Sequence, residues 1–144
     1  MSETRDVQPW VRTAIFQALA GIAVWMTFGL LLEGLIGYKT PVYLQDPLRR
    51  ELFRLAHAHG TLLSLLLLGV TLVCDRFELR PSSLVTIALR SGVILMPLGF
   101  LFGGLWHYES DPGIGIWLAP VAGIMVVFSL VGLTVSFATR SSAS

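Results

Sequence analysis

Four long apolar runs set the pattern of this chain, at residues 13–37, 56–74, 84–106 and 114–138, with short polar stretches between them. A hydrocarbon core about 30 Å thick takes roughly 20 helical residues to cross, so each run is long enough to span a bilayer. Strands of a membrane barrel alternate over about ten residues, whereas these runs are longer and more uniformly apolar. Backbone groups in lipid must be satisfied within their own segment. The pattern therefore predicts an all-α integral membrane protein, an up-and-down four-helix bundle forming one domain over residues 1–144. The first apolar run continues well past Ala18-Leu19-Ala20, so it reads as a span and not as a cleaved signal segment.

Local signals refine the second and third helices. Asp46-Pro47 reads as an N-cap followed by proline at the first helical position. "PLRRELFRLAHAHG" would then run as two or three turns through the headgroup layer before the apolar run begins. The segment "CDRFELRPSS" is a polar turn in which Pro81 stops one helix or starts the next. Gly99, Gly103, Ala119 and Gly123 permit close helix contact in lipid, within one chain or between chains.

Composition agrees with the pattern. The 144 residues are 54% hydrophobic and 13% charged, where soluble domains carry about a quarter charged residues. A formal charge of +1 without a basic cluster argues against a nucleic-acid partner, and the single cysteine, Cys74, excludes an internal disulfide. Four crossings put both termini and the second turn on one side, with Arg5, Arg12, Arg76, Arg80 and Arg140 there and Lys39, Arg49, Arg50 and Arg54 opposite. Five cations against four favour cytoplasmic termini by the positive-inside rule. The expectation is a protein of a bacterial-type inner membrane.

The candidate chemistry gathers by depth. At 1.5 Å per residue, Glu33, His57, His59 and His107 all arrive near the rim opposite the termini, joined by Glu109 and Asp111 in the turn "WHYESDPG". Along the second helix, Arg50, Arg54, His57, Thr61, Ser64, Leu68, Thr71 and Asp75 form one mostly polar stripe at helical spacing. His59 lies about 200° away from His57 round that helix. Two ligands offered by one helix to one ion are spaced by three or four residues, so His57 and His59 cannot chelate a single ion. A metal would need His57 with His107 or Glu33, with Glu109 and Asp111 orienting the imidazoles. Arg90 lies too far from Glu33 to pair, and its candidate partners are Gln17, Thr71, Asp75 or lipid phosphate.

On "LAHAHGTLLSLLLLG" the chain resembles the small four-helix membrane proteins related to a fragment of haem-copper oxidase subunit I, which carry His-x-His near the start of the second helix. That resemblance implies a haem- or metal-linked role for His57 and for His59. No c-type haem attachment sequence is present, because that needs two cysteines. A b-type haem with His57 and His107 as axial ligands, or a transition metal ion, is the cofactor expected on this reading.

Three functional readings follow. One is a non-enzymatic cofactor-binding module with a rim site at His57, His59, His107 and Glu33. A second is a structural subunit of a larger membrane complex or homo-oligomer, embedded in the bilayer and without its own cofactor. The third is a proton-coupled carrier using Glu33, Arg90 and His57.

Overall fold

The computed structural model describes residues 8–141, with the side chains of Arg140 and Ser141 left out. Its elements are α1 (Pro9–Gly37), the single turn α2 (Pro41–Leu44), α3 (Pro47–Arg76), α4 (Ser83–Leu105), a 3₁₀ turn (Ile114–Trp117) and α5 (Leu118–Ser141). Four stretches, Pro9–Gly37, Pro47–Arg76, Ser83–Leu105 and Ile114–Thr139, have the length and hydropathy to cross a membrane. The architecture is the expected up-and-down arrangement of four long apolar helices. Arg5 of the orientation argument lies outside the described residues.

The helix starts follow the sequence signals. Pro47 opens α3, and the Asp46 carboxylate accepts from the Arg49 backbone N–H at 2.9 Å, satisfying one of the donors a helix start leaves unpaired. Ser82 caps α4 in the same way. Helix α3 thus begins nine residues before the apolar run at 56, as the Asp46-Pro47 signal predicts.

Helices pack with their chain neighbours, α1 on α3, α3 on α4 and α4 on α5, while α1 and α5 do not pack as a pair. This is an open row and not a closed ring. Its core joins Ala14, Ala18, Leu63, Leu67, Leu89, Val93 and Val126. Cross-helix contacts fix the registers: Gly21 meets Ser64, Gly60 meets Trp25, Gly104 meets Phe53, and Gly92 meets Val126. A Cβ at Gly99 would lie 2.6 Å from the Ala119 backbone nitrogen, so this small residue serves the α4–α5 contact within one chain.

Candidate functional site

The register between α1 and α3 decides where His57 lies. Its ring packs on Gly29 of α1, where a Cβ would collide with the imidazole, and its Nδ1 lies 2.7 Å from the Trp25 carbonyl oxygen. A carbonyl only accepts, so Nδ1 carries the proton. Trp25 in turn lays its ring over Gly60 of α3 and is 8% exposed. Gly29 stands eight residues before the end of α1, about 12 Å at the helical rise. His57 therefore meets α1 about two turns before that helix ends.

His59 takes a different direction. Its Nδ1 bonds the Leu55 carbonyl of its own helix at 2.9 Å, and its ring stands 4.9 Å from that of Phe100 on α4. The two histidines of His-x-His thus face α1 and α4 respectively, as their angular separation on the helix requires.

His107 does lie at the rim, in a clamp the sequence reading did not anticipate. Its Nε2–H donates to Asp46 Oδ2 at 2.7 Å and its Nδ1 lies 3.2 Å from the Glu109 backbone oxygen. Both partners accept, so each ring nitrogen of His107 faces an oxygen. Arg49 completes the clamp: its Nε donates to Gly104 O in the last turn of α4, its Nη1 to Val42 O, and its Nη2 stands 3.6 Å from Asp46. Burial pushes the Asp46 carboxyl up, but the Arg49 N–H bond, the His107 bond and the electrostatic pull of His107 and Arg49 outweigh it and hold Asp46 below the usual value. Glu109 contributes its backbone and not its carboxylate, and Asp111 pairs through its backbone with Tyr108. Asp46 takes the role expected of those two acids, and its N-cap position beside the rim was the available signal.

The joint site of His57, His107 and Glu33 is not assembled. His107 sits at Asp46, eleven residues from His57 and so on the order of 16 Å away along α3, whereas two nitrogen ligands of one ion lie within about 4 Å of each other. His107 also has both ring nitrogens engaged. Glu33 is exposed one turn along α1 from Gly29 and makes no hydrogen bond or ion pair among the described residues. Among those residues, no three His, Cys, Asp or Glu side chains gather as a metal set. Arg54 stays on the surface, 3.7 Å from Glu51 in an exposed pair.

A second polar centre lies toward the other end of the row. Arg90 Nε donates to Gln17 Oε1 at 2.9 Å while Gln17 Nε2 donates to the Arg90 backbone oxygen at 2.8 Å. Of the expected partners, Gln17 is therefore the one engaged. Thr71 is fully buried and bonds Leu67 O, and Asp75 makes no bond to Arg90. Beside this pair, a groove of about 800 Å³ opens between α1 and α4. Phe16, Ala20, Val24, Val93, Ile94 and Leu98 wall it, Ser64 lies at its α3 floor, and Arg12, Gln17 and Arg90 line its polar end.

No family model matches the chain, and neither curated proteins nor solved structures give a match.

Proposed function

We propose that this polytopic membrane protein is a non-catalytic subunit that docks laterally on a protein partner through α1. The observation carrying this reading is the division of α1 into two faces. Val11, Ala14, Ala18, Trp25 and Leu32 are buried and fall within about 60° of one another round the helix. On the opposite face Ala20, Ala23 and Thr27 are exposed, and a Cβ at Gly34 would meet nothing within 4 Å. Small residues at these spacings let a neighbouring transmembrane backbone approach closely. The test is cross-linking in native membranes from Ala23→Cys in a Cys74→Ser background. Adducts heavier than the 15.8 kDa chain, lost in Thr27→Leu, are expected; a monomer throughout overturns the reading. Cytoplasmic termini belong to the same proposal, and labelling of a cysteine at Ser82 from the cytoplasmic side only tests them.

His57 favours a second reading. With Nδ1–H fixed on a backbone carbonyl, Nε2 is the ring nitrogen outside that bond, the orientation a metal- or haem-ligating histidine takes. Together with the oxidase-like His-x-His, this supports attachment of a b-type haem or a transition ion through one imidazole. Purified protein with a visible absorption band that disappears in His57→Gln supports it, and colourless, metal-free protein rules it out. A carrier reading has less support, because Glu33 is exposed and bonds neither His57 nor Arg90 among the described residues.

A further inference from the structure

We propose that the groove between α1 and α4 holds one acidic phospholipid, its phosphate at Arg12 and Arg90 and an acyl chain along the apolar walls. This assignment does not rest on the partner docking above, although the two surfaces adjoin: Ala20 belongs both to the docking face of α1 and to the groove wall.

Charge is the first argument. Arg90 is half-buried on a helix read as crossing lipid, and Gln17, its side-chain partner, brings no counter-charge. Its bond to Gln17 uses only Nε, so among the described residues both terminal guanidinium nitrogens are unengaged. An intramembrane cation is costly unless it reaches an anion or an aqueous layer. Gln17 holds the guanidinium in the groove lining, toward the end that Arg12 also lines. Arginine presents paired N–H donors that match phosphate geometry.

Polarity and length are the second. The groove is charged at the end nearer the start of α1 and apolar from there inward, which is the polarity of a lipid in one leaflet. From Arg12 to Trp25 is thirteen residues of α1, about 20 Å. One leaflet of a 30 Å core is about 15 Å deep. The groove accordingly receives an acyl chain entering from the headgroup layer beside Arg12, and it opens sideways where lipid diffuses in.

The test is native mass spectrometry of the full chain released from nanodiscs of equimolar dioleoyl phosphatidylglycerol and dioleoyl phosphatidylcholine. The expected result is one retained phosphatidylglycerol per chain, at least threefold over phosphatidylcholine. Arg12→Gln, at an exposed position, and Arg90→Gln each reduce that preference at least threefold. Ile94→Trp, which obstructs the apolar wall from α4 and leaves the docking face of α1 unchanged, reduces retention of both lipids. Added inorganic phosphate at millimolar concentration leaves the retained lipid in place, because the acyl chain contributes to binding. Equal retention of the two lipids, unchanged preference in Arg12→Gln, displacement by inorganic phosphate, or a lipid-free dimer whose contact covers the groove would each overturn the assignment.

Discussion

His57 and Trp25 hold each other in place across the α1–α3 contact. The imidazole Nδ1 stands 2.7 Å from the Trp25 carbonyl oxygen, and the Trp25 ring covers Gly60, three residues further along the helix that carries His57. Each side chain occupies the space that a glycine on the facing helix leaves open. Ridges of one helix thereby enter gaps of the other without apolar collapse as the driving force, as helix association in lipid requires.

The Gly29 position provides a test with a sign reversal. A methyl group there collides with the His57 ring, so Gly29→Ala is expected to destabilise the protein by about 1–3 kcal/mol, the range for overpacking. In a His57→Ala background the obstruction is gone, and alanine's helix preference of up to about 1 kcal/mol over glycine makes the same change neutral or stabilising. Thermal unfolding of the four proteins in one detergent measures the coupling. Equal costs of Gly29→Ala in both backgrounds would falsify the packing described.

Asp46 gives the rim a defined pH dependence. Its folded pKa lies below the ordinary carboxyl value, so the stability it contributes is fully present above the unfolded value, near 4, and is lost as pH falls through the folded one. Melting temperature measured from pH 6 down to pH 3 should therefore fall more steeply for the native chain than for Asp46→Asn. Asparagine also caps helices well, so that variant removes the charge opposite His107 and Arg49 while keeping the cap. Asp46→Ala removes both and should cost about 1 kcal/mol more. Identical pH slopes in the native chain and Asp46→Asn would count against the clamp.

The periodicity made the four crossings legible, because bilayer thickness and helical rise leave little freedom in how 20 apolar residues fold. The Asp46-Pro47 start of α3 was legible for an equally local reason. What one sequence did not disclose was the register between helices. His57 and His107 reach neighbouring helices, yet their levels differ because α3 starts at Pro47 and Gly104 of α4 packs beside Leu52 and Phe53, well before His57. The angular separation of His57 from His59, by contrast, is a property of one helix and carried directly into the structure. Asp46 was read as a cap alone because its second partner, His107, is 61 residues away.

The Gln17–Arg90 pair supplies the last prediction. Two hydrogen bonds join α1 to α4, helices otherwise separated by the groove, so the pair sets the distance between the groove's walls at its polar end. Side-chain hydrogen bonds between membrane helices contribute about 0.6 kcal/mol on average and up to about 1.7. Gln17→Leu removes both bonds and should destabilise the fold by roughly 1–3 kcal/mol, since it also leaves the Arg90 guanidinium without its partner. Gln17→Glu keeps an acceptor for Nε and adds a counter-charge, so at neutral pH it should retain native stability, although it removes the donor to the Arg90 carbonyl. Arg90→Lys should resemble Gln17→Leu more than the native chain, because an ammonium group lacks the fixed Nε–H that meets Gln17 Oε1. Thermal unfolding at pH 7 ranks the three variants, and a Gln17→Leu protein as stable as the native chain would show that α1 is held by α3 alone.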